Sequence, residues 1–150
     1  MRRNHSNRNR RSRGGGAILL IALGVGLVGC SSAPDPPEAV YDTKNQASRY
    51  ADFGNAHFND AEYEMALRFF ELALRENTSV DSRPGIAQTY NSIGNVYLAV
   101  GDIDTAESSF SSAYEIAVAI NDARLLLQSA THLGEVALRR GDNALAMDFF

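Results

Sequence analysis

Residues 88–119 read QTYNSIGNVYLAVGDIDTAESSFSSAYEIAVA, and their spacing predicts one helical hairpin. Tyr90, Ile93, Tyr97 and Leu98 recur at intervals of three and four, which gives the apolar stripe of a first helix. Gly101-Asp102 interrupts the stripe, and Asp102 suits the N-cap of a second helix. Ala106, Phe110, Ala113 and Ala117 then place small and aromatic residues on one face of that helix. Small residues at Gly94 and Ala106 let the pair approach closely, and Tyr90, Tyr97 and Phe110 fill the space around the contact.

The same spacing occurs twice more. Gly54, Gly94 and Gly134 lie 40 residues apart, as do Ala66, Ala106 and Ala146, and Phe70, Phe110 and Phe150. Phe53, Ile93 and Leu133 each precede the glycine. A fixed period predicts an array of supersecondary units that bury their faces on one another. The pattern is aromatic, apolar-Gly, aromatic, then Ala and Phe at offsets of twelve and sixteen from the glycine, with Ala73 and Ala113 at nineteen in the first two copies. It resembles the tetratricopeptide repeat. The second copy fits best. The first departs at His57 and lacks the turn glycine, having Asp60-Ala61-Glu62; the third has Ala130 and Ala137 at the aromatic positions. The period of 40 exceeds the ~34 residues of the ordinary repeat. It is similar to the longer-helix variety of kinesin light chains, spindle-orientation adaptors and bacterial Rap-type receptors.

The resemblance implies an all-α fold of tetratricopeptide-type helical hairpins stacked as an α-solenoid. Three repeats are expected, at 47–80, 87–120 and, incompletely, 127–150. Helices are expected from about Thr43 to Asn59, from Asp60 or Ala61 to Glu76, over 83–119 as a pair, and from Ala123 to Arg140. A last helix follows Gly141-Asp142 to Phe150. Asn77-Thr78-Ser79 reads as a break, with Ser82 as N-cap and Pro84 early in the next helix. Phe149 and Phe150 are apolar where the pattern stops, so a homodimer is one expected cover for them.

Charge is unevenly placed. Six of the 14 basic residues lie within the first 13 positions, and all 18 acidic residues follow position 34. Residues 31–150 thus carry 8 basic and 18 acidic residues, a net of 8 − 18 = −10. An acidic body argues against nucleic acid as a partner. The basic start is followed by AILLIALGVGLV at 17–28, an apolar run of 12 residues against the ~20 that span a bilayer. This is the pattern of a signal peptide, expected to comprise residues 1–29. Leu27-Val28-Gly29-Cys30 resembles a bacterial lipobox. The resemblance implies acylation of Cys30, cleavage before it, and a lipid anchor strengthened by a second chain. By the sorting pattern of Gram-negative lipoproteins, Ser31 favours the periplasmic face of the outer membrane. Residues 30–42, rich in proline, are expected to form a tether that keeps a helix from starting before about Tyr41.

No catalytic constellation emerges, and no enzyme activity or cofactor is expected. Cys30 is the only cysteine, and no two histidines fall at metal-ligand spacing. His57 occupies a core aromatic position and His132 reads as a surface residue. The serines at 108, 109, 111 and 112 have no histidine in register. What remains is a binding surface. In tetratricopeptide arrays the first helix of each hairpin lines a concave groove. Carried onto this chain, the groove residues are Asn55 and Asn59, then Gln88, Asn91 and Asn95, then Gln128, Thr131, Glu135 and Arg139. Ser48, Ala51, Phe58, Leu98, Ala99 and Leu138 complete the set. Asn55 and Asn95 directly follow the glycine, resembling the asparagine ladder by which 40-residue-repeat adaptors hold an extended peptide. A carboxamide offers donor and acceptor together, as a strand edge does. The alternative is that Asn55 and Asn95 are polar fillers on a solvated face.

The expected function is therefore a lipid-anchored adaptor or scaffold at the bacterial envelope, binding a protein or extended peptide in the groove. Two other readings are a peptide-signal receptor and the regulatory front of a longer enzyme.

Overall fold

The computed structural model describes residues 37–150; the signal-peptide and lipobox readings, Cys30 included, lie outside them. Six helices follow one another: α1 (Pro37–Asn59), α2 (Tyr63–Ser79), α3 (Arg83–Val100), α4 (Ile103–Ile120), α5 (Ala123–Arg140) and α6 (Asn143–Phe149). Each odd helix packs on the even helix after it, and α2 on α3 and α4 on α5 join the hairpins. The odd helices also touch their neighbours, α1 on α3 and α3 on α5. The described chain is an all-α stack of hairpins, as the repeat predicts.

The turns show why the stack is regular. A residue with positive φ stands every twenty residues: Ala61 (59°), Asp81 (47°), Gly101 (87°), Asn121 (54°) and Gly141 (82°). Each closes the helix before it in the same way. Asp102 N–H donates to the Tyr97 carbonyl and Gly101 N–H to that of Leu98. The same pair of bonds recurs around the other four turns. This left-handed closure satisfies carbonyls that a helix end leaves open. Asp102, Asp122 and Asp142 then cap the next helix, accepting from Thr105 N, from Arg124 N and Leu125 N, and from Leu145 N. Glu62 and Ser82 stand in the same place and make no such bond.

Three glycines set the spacing within the hairpins. A methyl group built on Gly94 would lie 2.5 Å from Cε1 of Phe110. On Gly54 it would meet Phe70 at 2.5 Å, and on Gly134 Phe150 at 2.7 Å. Each phenylalanine thus presses its ring, by an edge in Phe70 and Phe110 and by the tip in Phe150, on a helix backbone where only glycine leaves room. Phe70 and Phe110 are 1% and 0% exposed. Around them the core is largely alanine, including Ala66, Ala73, Ala106, Ala113 and Ala117, all fully buried. Small side chains on the even helices bring the backbones together, and the rings fill what remains.

Four expectations need correction. The first helix starts at Pro37, so residues 37–42 of the expected tether are helical. Proline lacks an N–H that the first turn would leave unbonded anyway, so it opens a helix without cost. Second, α2 runs from Tyr63 to Ser79, so the Asn77-Thr78-Ser79 break is helical and the turn falls at 80–82. Thr78 and Ser79 hydroxyls donate back to the Leu74 and Glu76 carbonyls, which lets polar residues stay in a last helical turn. Third, Ser82 takes the N-cap position without a side-chain cap bond. Fourth, His132 is not a surface residue: it is half-buried and stacks on Phe110, with ring centroids 4.6 Å apart and planes 15° from parallel. It covers the outer side of the ring that Gly94 receives. His57 does pack, stacked on Phe69 at 5.2 Å, while its Nδ1 pairs with Glu62 Oε2 at 2.5 Å.

Two outcomes follow. Ala61 is the one alanine held at positive φ, a conformation that penalises L-residues by about 1–2 kcal/mol. Ala61→Gly should raise unfolding free energy by about 0.5–1 kcal/mol in urea titration; no change or a loss would mean the turn does not hold that strain. Burial pushes the His132 pKa below its ordinary value, opposed by the charge of Glu135. The unfolded chain then binds more protons than the folded one below pH ~6.5. Stability is complete above that pH and declines as pH falls through it. Urea midpoints at pH 7.5 and 5.5 should therefore differ more in the wild type than in His132→Phe; equal differences would contradict the assignment.

Candidate functional site

The face made by the odd helices carries two cavities lined by the expected groove positions. The first, of 230 Å³, lies between α1 and α3. Ser48, Ala51 and Asn55 contribute from α1, and Gln88 with Ser92 from α3. Lys44 and Asp52 bring opposite charges to the same cavity, and Asn77 and Thr89 bring buried polar groups. The second, of 320 Å³, lies toward the other ends of the same helices. Phe58, Asn95, Leu98 and Ala99 line it with Glu135 and Arg139 of α5. Arg139 donates to Glu135 at 3.0 Å across one helical turn, so each neutralises the other.

Helical phase explains why these side chains converge. Residues at intervals of three and four share one face of a helix. Ser48, Ala51, Asn55 and Phe58 form such a row on α1, and Gln88, Asn95 and Ala99 follow it on α3. Because α1, α3 and α5 lie side by side, their rows form one surface. That surface is locally neutral, although residues 31–150 carry a net of −10. Its polar groups are chiefly carboxamides and hydroxyls. Such groups serve main-chain amides and uncharged side chains better than they serve ions.

Not every expected residue belongs to it. Asn91 is 1% exposed and is corrected here to a buried residue. Its register partners are Ala51, half-buried on α1, and Thr131, exposed on α5. Only α3 has an odd helix on each side, and this closes over its middle. Neither atom of the Asn91 carboxamide has a protein partner, an arrangement that costs about 1–3 kcal/mol when unsatisfied. Leu98, 5% exposed, is core as well as cavity wall, while Leu138 is 49% exposed. Asn59 and Thr131 are exposed and Gln128 is half-buried, and none of the three lines a cavity described here. The Thr131 hydroxyl donates to the Leu127 carbonyl of its own helix.

Sequence reasoning missed Asn77 and Thr89, which form the floor of the first cavity. Asn77 Nδ2 donates to Thr89 Oγ1 at 3.4 Å, and the Thr89 hydroxyl donates to the Gly85 carbonyl at 2.8 Å. A signal was available. Forty residues on, Ala117 and Leu125 stand where Asn77 and Gly85 stand, so Asn77 breaks an apolar register, while Thr89 matches the buried hydroxyl of Ser129.

Among the described residues, no group of three or more acidic, histidine or cysteine side chains is placed to hold a metal ion. No helix among them is long and apolar enough to cross a membrane.

Comparison with known proteins agrees with this architecture. The profile of the tetratricopeptide repeat family matches residues 85–150, the span of α3 to α6. No curated protein sequence matches the chain significantly. Among solved structures, the N-terminal domain of stress-induced protein-1 (STI-1) from C. elegans is 19% identical, with a TM-score of 0.60. That match covers 71% of this chain and 80% of the other. BtubC (BKLC) from P. vanneervenii is 22% identical with a TM-score of 0.63, over 69% of this chain and 43% of that one. At such identities the likeness is one of fold. The described chain is thus an all-α solenoid of tetratricopeptide type, with the repeat recognisable in sequence over residues 85–150.

Proposed function

We propose that this chain is a protein–protein interaction module, tethered to a bacterial membrane through an acylated Cys30, that holds an extended segment of another envelope protein along the odd helices. The observation that carries the groove reading is the convergence of Asn55, Gln88 and Asn95 on two cavities of one neutral surface. Asn55 and Asn95 are accessible and occupy the same position in successive hairpins. Each offers a donor and an acceptor, Asn55 in the first cavity and Asn95 in the second, which suits a peptide backbone passing from one cavity to the other. The anchor reading rests on the basic start, the short apolar run and Leu27-Val28-Gly29-Cys30. An acyl anchor would place the groove close to the membrane, where a tethered receptor meets membrane partners at raised effective concentration.

Affinity capture from detergent-solubilised membranes tests both parts, using wild type, Asn55→Ala/Asn95→Ala and Cys30→Ala. A protein recovered with wild type should be lost with the double alanine, whose helical signal stays intact. Recovery of the same proteins with both would move the contact surface away from the groove. Cys30→Ala should take up no labelled palmitate and should keep its precursor mass; an acylated product would sink the anchor reading.

A further inference from the structure

The two cavities differ in chemistry, and the difference traces to one junction of the stack. Between α4 and α5 the space is filled: Leu125 is fully buried and packs with Ala113 and Ala117. Between α2 and α3 the same register holds Asn77 and Gly85. A methyl group on Gly85 would collide with Oδ1 of Asn77, so the absent side chain makes room for the carboxamide. A cavity of 230 Å³ stands at this junction, where the next one has its leucine.

The polar groups there are arranged to receive a partner. Asn77 is 7% exposed. Its Nδ2 is engaged by Thr89, while its Oδ1 lies over Gly85, which also lines the cavity. An incoming group that donates to Oδ1 would find acceptors and donors around it in Ser48, Asn55 and Gln88. Lys44 and Asp52 offset each other, so the cavity favours no net charge. A neutral side chain that both donates and accepts fits this set, and the carboxamide of Gln or Asn is that group. The second cavity differs. Phe58, Leu98 and Ala99 give it an apolar wall, Asn95 adds one carboxamide, and the only charges on its lining are the paired Glu135 and Arg139. It suits an apolar side chain. Gln88 in the first cavity and Leu98 in the second are ten residues apart on α3, about 15 Å at 1.5 Å per residue. An extended chain covers that distance in about four to five residues.

We propose that the groove recognises an extended segment carrying Gln or Asn at one position and an apolar residue four or five positions away. The Asn77–Gly85 exchange in the first junction creates the Gln/Asn-selective pocket. This specificity rests on the groove reading above and is narrower than it.

The test uses fluorescent nonapeptides on a Ser/Ala background, titrated against the full chain in detergent and read by anisotropy. Peptides with Gln and Leu four or five apart should bind most tightly. Moving the pair to a spacing of two, or replacing Gln by Glu, Lys or Leu, should weaken binding about tenfold, as loss of one well-made buried contact does. The variant Asn77→Ala/Gly85→Leu imports the filling of the second junction. It should keep the helical signal, lose the preference for Gln and keep that for Leu. If it does not fold, Asn77→Ala alone removes the carboxamide without adding bulk and should show the same loss. Binding that depends on Asn55 and Asn95 but ignores Gln or its spacing would overturn the pocket assignment and leave the groove reading intact. Binding by none of the peptides would also overturn it, and the membrane capture then decides the groove separately.

Discussion

A phenylalanine ring resting on a bare helix backbone is the contact on which this structure depends. Phe70 lies on Gly54 and Phe110 on Gly94, both rings fully buried, while Phe150, 71% exposed, meets Gly134 only by its tip. Each of the first two pairs joins the two helices of one hairpin. The ring is the largest side chain in the surrounding alanine core, so it supplies much of the apolar burial there. Full burial of such a ring contributes about 1.5–3 kcal/mol. It can do so only if the facing residue has no side chain. Glycine costs a helix interior roughly 0.5–1 kcal/mol relative to alanine, so the contact must outweigh that loss. The groove is a consequence. Once the even helices are fixed behind the odd ones, the odd helices lie side by side and their remaining face is left open.

The turns make this contact repeatable. Left-handed residues every twenty positions end successive helices at the same phase, so Gly94 and Phe110 repeat the relation of Gly54 and Phe70. The three well-capped helices follow Gly101, Asn121 and Gly141 with an aspartate. The first two turns use Ala61-Glu62 and Asp81-Ser82, where no side chain caps the helix. The first hairpin and its junction are therefore the less idealised part of the array. The same junction replaces the buried Leu125 by glycine and its alanine partner by Asn77. Relaxed local chemistry and the polar cavity thus fall in one place. Ordinary packing is exchanged there for a surface feature, as expected where a fold carries a site.

Most of the fold was legible because the repeat is written in small residues. Gly, Ala and Phe at 40-residue intervals carry backbone separation directly, and α5 begins and ends where its caps predict. The same register places Ser48, Ala51, Asn55 and Phe58 in one row on α1, whereas Asn59, Gln128 and Thr131 line neither cavity. What escaped had local causes. Pro37 opens a helix although prolines next to it suggested a tether. Thr78 and Ser79 bond to carbonyls of their own helix and so extend α2 through an apparent break. Asn91 and His132 were misplaced for one reason: the burial of a residue on an odd helix depends on which helices flank it. A period read along the chain does not say that α3 is covered on both sides, nor that His132 meets Phe110 of the preceding hairpin. Asn77 was hidden because it stood in a stretch read as a break.

The central claim is that Gly94 is required by Phe110 and not by the helix. A double-mutant cycle in urea with Gly94→Ala and Phe110→Leu tests it most directly. Leucine keeps the position apolar but removes the far edge of the ring. In the wild-type background Gly94→Ala should destabilise by about 1–3 kcal/mol, because the new methyl overpacks the contact. In the Phe110→Leu background it should become neutral or stabilising, as helix propensity alone favours alanine by up to ~1 kcal/mol. A change of equal size and sign in both backgrounds would contradict the account.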